Sequence, residues 1–429
     1  MKILGIGLIV VALLAPLIWL PAHGQGKDVI ALGSQYLGLV SLIAMAFAHL
    51  IATRWRGVEA VFGPMDQSYR VHKWLGIGAM VALLLHDTID AEMKGLGPET
   101  LLVEAAETAG EISLYGLLIL VTITIAVFIP YHLWKWTHRF IGIFFVAGFL
   151  HYLFILKPFK NSDPLGLYMT AICLVGIVAY AYTAAPRGVR PSRPYRITGV
   201  SSEGNAVAVQ MMPEGKPVRY RAGQFAFFGF TGSGMAEPHP FTISKAPDDT
   251  GALRVTIAPL GDLTARLSRA LAEGQPVTVE GPYGHFGRPG KTPQVWIAAG
   301  VGITPFTALA QSLAPDAAPV TMIYAFRSAD EAAHLAELEA IAADKPNLTL
   351  VPWASEEKGR LDGEGVASIT GKDLSGHRVL FCGPVAMRRA LGLALAPFGL
   401  TARNYHYEAF EIRTGLGLRR LAIKLIDRI

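Results

Sequence analysis

Four histidines carry the chemistry that this sequence offers most openly. His72 and His86 lie 14 residues apart in one apolar stretch, and His138 and His151 lie 13 apart in another. An imidazole in a lipid-embedded helix is costly and marks a functional site. On helices the two separations are about 21 Å and about 19.5 Å along the axis. The histidines therefore form two pairs at matching depths, His72 with His138 and His86 with His151. Zinc would want three or four ligands close together. Two levels of two suggest instead two bis-histidine haems. The competing reading is packing or proton-pathway histidines. Fourteen residues return to within about 40° of the same helix face, whereas thirteen leave an offset of about 220°. The second stretch is thus expected to bend, and Gly142 and Gly148 between its histidines would permit a bend and leave space for a large planar group. Asp87 is either a partner for His86 or the start of a loop, and His49 and His132 read as interfacial or structural.

The elements that must hold these histidines are membrane helices. Of the first 185 residues 22 are Asp, Glu, Lys or Arg, against 49 of the remaining 244. Mean hydropathy is +0.39. Six apolar spans are predicted at about 3–21, 31–52, 71–88, 112–131, 138–156 and 165–184, each near the roughly 20 residues that cross a bilayer. The first is read as a retained helix rather than a cleaved signal peptide. Arg54, Arg56 and Arg70, then Lys135 and Arg139, then Arg187, Arg190, Arg193 and Arg196 fall on one side, which places that side and the amino terminus in the cytoplasm. The joint 89–111, with Glu92, Glu99, Glu104, Glu107 and Glu111, is then outside. This is the pattern of a multi-pass protein of a bacterial-type inner (plasma) membrane, and it excludes a wholly cytoplasmic enzyme, a disordered chain and a disulfide scaffold. Net charge is +5, with no basic–aromatic stripe, so nucleic acid is not a partner. Cys173 and Cys382 cannot by themselves build an iron–sulfur or Cys-rich zinc site.

Beyond a Pro- and Arg-rich hinge at 186–193 the pattern changes to short β-like runs: Tyr195–Val200, Ala206–Met211, Phe225–Phe230, Leu253–Ala258 and Val277–Glu280. About six such runs with Gly/Pro turns predict a small antiparallel barrel. Leu260-Gly261-Asp262-Leu263-Thr264 is a glycine turn that leads into a helix, where free N–H groups suit a pyrophosphate and Thr264 can add a hydroxyl. Asp262 fits better as a helix cap. After Gly290, strands Val295–Ala299, Val320–Phe326, Leu348–Val351 and Val379–Cys382 alternate with helical runs, which predicts an α/β domain with a parallel sheet. Gly300-Val301-Gly302-Ile303-Thr304-Pro305 sits between a strand and a helix, the context in which a Gly-rich turn admits a nucleotide.

The paired histidines, the segment Tyr69-Arg70-Val71-His72-Lys73 and the segment Trp134-Lys135-Trp136-Thr137-His138-Arg139 resemble the ferric reductase-type transmembrane domain shared by NADPH oxidases and ferric-chelate reductases. The soluble half resembles the ferredoxin–NADP reductase fold, so the likeness covers nearly the whole chain. It implies a six-helix bundle with two haems (1–186), an FAD-binding β-barrel (187–289) and an NAD(P)H-binding α/β domain (290–410), followed here by a basic amphipathic tail (411–429). His239-Pro240-Phe241-Thr242-Ile243-Ser244 is similar to the family's flavin motif, with the hydroxyls of Thr242 and Ser244 and the ring of His239 offered to FAD. The resemblance places the FAD pyrophosphate at Gly261 and Thr264, and Gly281-Pro282 at the barrel's end. It places the nicotinamide dinucleotide at Gly300, Gly302, Thr304 and Pro305, and the nicotinamide ring at Cys382, Gly383 and Pro384. Phe410 resembles the aromatic residue that stacks on the flavin. Arg327 occupies a place where the family contacts a 2′-phosphate, which favours NADPH over NADH. The implied path runs from NAD(P)H to FAD, to the inner haem, to the outer haem and to a small-molecule acceptor. Oxygen is put first, making a superoxide-generating NADPH oxidase with Lys157, Lys160, His23 or Lys27 as the cation near the outer haem. The alternatives are a ferric-chelate reductase or an electron-donor subunit for a periplasmic partner. Oligomeric state is not legible.

Overall fold

The computed structural model describes residues 2–24, 28–89, 96–125, 129, 131–185, 191–232, 235, 237–287 and 290–408, except the side chains of Arg56, Asp66, Tyr131, His132 and Asp262. Phe410, the basic tail, Lys27 and the hinge residues 186–190 lie outside the described residues. The chain divides into two compact units, the first reaching Val189 and the second spanning Arg190–Glu408.

The first unit is helical: α1 (Ile3–Leu14), α2 (Pro16–His23), α3 (Val29–Ala52), α4 (Arg56–Phe62), α5 (Met65–Thr88), α6 (Leu101–Ile125), α7 (Tyr131–His138), α8 (Ile141–Phe154) and α9 (Pro164–Ala184). Among the described residues five helical stretches are long and apolar enough to cross a membrane: Ile3–His23, Val29–Ala52, Leu101–Ile125, Leu133–Phe154 and Pro164–Ala184. The expected third span is the 24-residue α5, which carries Arg70, Lys73 and Asp87 beside its two histidines and so falls short in apolar composition. The expected fourth span begins earlier than predicted. Helix α6 starts at Leu101, so Glu104, Glu107 and Glu111 stand on a helix rather than in a loop. Helix α5 packs chiefly on α3, and α8 on α6. Lighter α5–α6 and α3–α8 contacts complete a ring in which α5 and α8 are diagonal. The core between them is apolar, with Ile43, Phe145, Phe149 and Met169 almost wholly buried.

The predicted bend in the fifth stretch exists, but at a different residue. Helix α7 ends at His138, and α8 resumes at Ile141. The N–H groups of Arg139, Phe140 and Ile143 donate to the carbonyls three residues back. Bonding of that type advances about 120° per residue instead of about 100°, which carries the 13-residue offset toward a shared face. The expected glycines do other work. A Cβ on Gly142 would strike the Tyr180 ring, and one on Gly148 would lie 2.8 Å from Ser113 Oγ. The Tyr180 ring and the Ser113 hydroxyl lie beside them.

The second unit contains two sheets. Strands β1 (Arg193–Glu203), β2 (Ala206–Pro213), β3 (Phe225–Phe230), β4 (His239–Thr242), β5 (Leu253–Ile257) and β6 (Pro276–Tyr283), with helix α10 (Asp262–Ala270), form the first part. The six strands run in the order β4-β3-β6-β1-β2-β5, all pairs antiparallel. One bridge, Ile243 to Val255, joins the ends of the two edge strands. The second part contains β7 (Gln294–Ala299), α11 (Thr304–Gln311), β8 (Val320–Phe326), α12 (Leu335–Asp344), β9 (Leu348–Ala354), α13 (Ser355–Lys358), α14 (Gly363–Thr370), β10 (Arg378–Cys382), α15 (Val385–Ala394) and β11 (Tyr405–Tyr407). Its five strands are all parallel, in the order β11-β10-β7-β8-β9. Strands β7 and β8 alternate no polar positions because helices cover both faces: Trp296, Ile297, Met322 and Ile323 are fully buried.

Candidate functional site

The four histidines share one hydrogen-bonding arrangement. His72 Nδ1 donates to the Ala48 carbonyl at 2.9 Å, and His151 Nδ1 to the Ala106 carbonyl at 2.9 Å. His86 Nδ1 donates to the Ser34 carbonyl at 2.8 Å and also lies 2.9 Å from Ser34 Oγ. Ser34 Oγ spends its own proton on the His86 carbonyl, 3.0 Å away. His138 Nδ1 lies 3.1 Å from Thr124 Oγ1, whose proton goes to the Leu120 carbonyl at 2.8 Å. A carbonyl only accepts, and a hydroxyl that has already donated must accept. All four rings therefore carry the proton on Nδ1 and a lone pair on Nε2. Among the described residues no hydrogen bond is made by any of the four Nε2 atoms. A ring whose Nδ1–H is fixed by a carbonyl or hydroxyl is the usual posture of a metal-ligating imidazole.

The rings of His72 and His138 lie 6.0 Å apart, centroid to centroid, at 62°. One metal with bonds of about 2 Å to each nitrogen fits such a separation. At the other level the flanking helices pass as bare backbone. A Cβ on Gly38 of α3 would lie 3.3 Å from the His86 ring, and one on Gly110 of α6 only 2.7 Å from His151 Nδ1. The residues present thus fit two bis-histidine groups. Among the described residues no cluster of three or more His, Cys, Asp or Glu could hold a metal.

Several expected partners take other roles. Asp87 is exposed, and Ser34 serves His86 in its place. Lys157 Nζ donates to the carbonyls of Tyr152 at 2.7 Å and Leu153 at 3.4 Å and lies 4.9 Å from the Tyr152 ring centroid. It caps the carboxyl end of α8, where orphan carbonyls attract a cation. His49 is buried against the rings of Phe145 and Tyr180, 5.2 and 5.4 Å away. Sequence reasoning missed Ser34, Ala48, Ala106 and Thr124. Two of them offer only a carbonyl or a shared backbone group, which carries no residue-type signal.

In the second unit the candidate residues gather at strand ends. Gly300 has φ +54°, a left-handed backbone that glycine adopts without cost. Gly300–Ile303 is a 3₁₀ turn that leads directly from β7 into α11 at Thr304 and Pro305. Cys382 pairs with Ala298 on the adjacent strand. A Cβ on Gly302 would collide with the Cys382 carbonyl, and one on Gly383 would lie 2.8 Å from Ala299 Cβ. The two motifs, 80 residues apart in sequence, are thus packed backbone on backbone at the point where the sheet order reverses direction. In open α/β sheets that crevice is the ligand site. Cys382 is 7% exposed. Burial pushes its thiol up from the ordinary range, and the charge of Glu408 adds to this, so the sulfur is protonated at neutral pH and serves by shape rather than as a nucleophile. Pro384 caps α15. Glu408 belongs to this site and was not singled out from the sequence.

At the flavin motif, His239–Thr242 is strand β4 and pairs with Phe225–Phe228. His239 Nδ1 donates to the Glu237 carbonyl at 2.9 Å, and Phe241 packs 6.3 Å from the rings of Phe228 and Phe230. Ser244 is turned inward: its hydroxyl bonds the Arg254 carbonyl and Thr256 Oγ1, and its own carbonyl accepts from Arg254 Nη2 at 2.6 Å. Arg254 continues to Glu337 on α12 through two 3.0 Å contacts. Glu337 also accepts from Gln311 at 2.6 Å and faces His334 Nδ1 at 3.1 Å, while His334 Nε2 lies 2.7 Å from Thr256 Oγ1. This polar network, which includes the Ser244 hydroxyl, ties the antiparallel part to the parallel part. Burial works to raise Glu337, but the hydrogen bonds from His334 and Arg254 and the guanidinium charge win and bring it down to about 2. Thr264 is also used locally: its hydroxyl accepts from the N–H groups of Leu260 and Gly261, both at 3.0 Å. It shapes the turn at Gly261, and the first-turn N–H groups of α10 have no partner within the helix. Gly281 has φ +145°, and its bond to Pro282 is cis.

Comparison with known proteins agrees with this layout. Residues 37–149 match the ferric reductase like transmembrane component, residues 196–286 an FAD-binding domain, and residues 296–392 an oxidoreductase NAD-binding domain. The chain is 27% identical over 345 residues to ferric reduction oxidase 7, chloroplastic, of Arabidopsis thaliana, which covers 70% of this chain and 44% of that protein. It is 27% identical over 195 residues to the toluate 1,2-dioxygenase electron transfer component of Pseudomonas putida, covering 44% of this chain and 58% of that one. The chain spans about half the length of the curated relatives it matches. Among solved structures, flavohemoglobin from Malassezia yamatoensis with bound FAD and heme aligns over 91% of this chain and 98% of its own, at 17% identity and a TM-score of 0.50, a likeness of fold. The chain joins a ferric-reductase-like transmembrane domain to an FAD- and NAD(P)H-binding dehydrogenase of the ferredoxin reductase type, the domains of an oxidoreductase in a multi-pass membrane protein.

Proposed function

We propose that the protein is a membrane reductase that takes electrons from a nicotinamide dinucleotide at its second unit and delivers them through the helical bundle to a ferric chelate on the opposite face. The observation that carries this reading is the shared tautomer of His72, His86, His138 and His151, each with Nδ1–H fixed and Nε2 left open. FAD and two b-type haems, once bound, supply the change from two-electron to one-electron chemistry and the relay across the membrane. His72 with His138 and His86 with His151 hold the two haem irons through Nε2, and α5 is a sixth crossing. Ala48, Ala106, Ser34 and Thr124 keep the rings oriented. His239, Pro240, Phe241 and Thr242 line the flavin, with Ser244 anchoring the strand from below. The turn at Gly261 and Thr264 presents N–H groups to the pyrophosphate, and Gly281 shapes the strand end beside it. Gly300, Gly302, Thr304 and Pro305 admit the nucleotide phosphates, while Cys382, Gly383 and Pro384 form the floor under the nicotinamide. The bias of Lys and Arg puts this unit in the cytoplasm.

A ferric acceptor is favoured over oxygen by two observations. The match to the Arabidopsis protein named for ferric reduction runs over 345 residues, longer than the dehydrogenase unit alone, and so includes the bundle. Lys157, one of the four cations offered to an oxygen site, is bound to helix carbonyls. The test is a kinetic assay on detergent-purified protein supplied with haem and FAD. Capture of ferrous iron at a rate that superoxide dismutase leaves unchanged is expected. Dye reduction that dismutase abolishes, at an equal rate without iron, would establish the oxidase instead. Protein that oxidises the nicotinamide but shows no haem band would return the histidines to a packing role.

A further inference from the structure

The carboxyl end of β8 lies beside the Gly300–Ile303 turn, since β7 and β8 are adjacent and parallel. In a sheet of this kind that strand end meets the adenosine ribose of the dinucleotide. A free 2′-hydroxyl is recognised by a carboxylate, a 2′-phosphate by an arginine. Arg327 stands there, but its charge is already answered. Its Nε donates to Glu356 Oε1 at 2.8 Å, and its Nη1 lies 3.9 Å from Glu331. The Glu356 N–H also donates to the Arg327 carbonyl at 3.1 Å. An exposed ion pair ordinarily gains little, because two long side chains must be ordered to make it. Here the backbone bond brings Glu356 to Arg327 in advance, at the first turn of α13. Asp330 and Glu331 follow in the 3₁₀ turn Ala329–Glu331, and Arg360, the second cation that the sequence offers here, lies past the end of α13. Lys358, the nearest lysine on α13, faces elsewhere: its Nζ donates to the Pro352 carbonyl at 3.2 Å and lies 5.6 Å from the Trp353 ring centroid.

We propose that the dinucleotide used is NADH rather than NADPH, and that Glu356 sets the choice by holding Arg327 and presenting a carboxylate to the ribose. A phosphate monoester brings about −1.5 to −2 charges at neutral pH. It would have to displace Glu356 from Arg327 and sit among Asp330 and Glu331, whereas a neutral diol donates to a carboxylate at no such cost. This inference rests on the reading of the second unit as an NAD(P)H dehydrogenase, and it reverses the preference that Arg327 alone suggests from the sequence.

The experiment is anaerobic stopped-flow bleaching of the bound flavin in the full-length protein, with NADH and NADPH in turn. The wild type is expected to favour NADH by about tenfold or more in kcat/KM. Glu356→Gln frees the guanidinium and is expected to raise kcat/KM for NADPH by about tenfold. Adding Arg327→Ala to it should remove that gain, which shows that the gain runs through Arg327. Both positions are exposed, so the variants keep the fold, and the wild-type ratio is decisive without them. A wild type that favours NADPH, or a Glu356→Gln protein with an unchanged ratio, overturns the inference while leaving the dehydrogenase reading intact. Flavin that neither nucleotide bleaches overturns both.

Discussion

The helical bundle and the dehydrogenase unit build their sites in opposite ways. In the bundle the backbone N–H groups are spent within the helices, as they must be in lipid. The site is made by side chains from α5, α7 and α8, steadied by groups on α3 and α6. In the dehydrogenase unit the site is made by backbone: turns at the ends of β7 and β10, and the start of α10, where N–H groups are free of the ladder. The first kind of site depends on a few residues far apart in sequence. The second depends on contiguous motifs in which Gly302 and Gly383 leave no room for a Cβ.

The comparison predicts different failures. Replacing His72 or His138 by Ala should remove one haem and lower transmembrane iron reduction by more than about 100-fold, with nucleotide-driven flavin bleaching retained. A pyridine haemochrome assay would give half the wild-type haem, and equal losses of flavin bleaching and iron reduction would break the separation of the two regions. Gly302→Ala should do the reverse. The new Cβ meets the Cys382 carbonyl, so nucleotide-driven bleaching should fall by about 10- to 100-fold with the haem spectrum unchanged. Ser34→Ala leaves the Ser34 carbonyl as an acceptor for His86. Its effect should be smaller, about tenfold in haem retention during dilution, and confined to the His86/His151 level.

A fourth test uses pH. Glu337 is held down to about 2 in the folded unit against an ordinary 4.5. A depressed carboxylate contributes stability that is complete above the unfolded value and is lost as pH falls through 4.5 toward 2. The flavin-release temperature should therefore drop across that window. Glu337→Gln should flatten this acid limb and lower stability at neutral pH by about 1–2 kcal/mol, because Arg254 then loses its charged partner. An unchanged acid limb would mean that the network between the two sheets does not titrate. The smallest effect is expected for Lys157→Met. Loss of a cation at a helix carboxyl end costs about 0.3–1 kcal/mol, readable as a slight fall in thermal stability of the bundle with haem content intact.

Where the sites were legible in the sequence follows the same division. Strands Phe225–Phe230 and Val320–Phe326 lie where the pattern predicts them, and Gly300–Pro305 falls between strand and helix as its composition requires. The short β11 was missed because three residues with one paired edge leave little pattern. Thr264 bonds the N–H groups of its own turn at Leu260 and Gly261, a local contact, whereas the Ser244 hydroxyl meets Thr256 only through folding. Arg327 stands at the strand end that the pattern predicts, and Glu356, 29 residues on, pairs with it.

Residue type and spacing determined by themselves that the chain has an apolar helical half with two levels of paired histidines, and a soluble half of antiparallel strands followed by alternating strands and helices. Hydrophobic period and the cost of burying imidazole act along the chain, so they can be read along it. Tertiary structure alone decided which nitrogen each histidine leaves open, that α7 breaks from α8 between His138 and Ile141, and that Gly302 meets Cys382. It also decided that Arg327 is already paired. Those are matters of which distant group arrives within hydrogen-bonding reach, and a bond of about 3 Å between residues tens of positions apart has no local sequence signature.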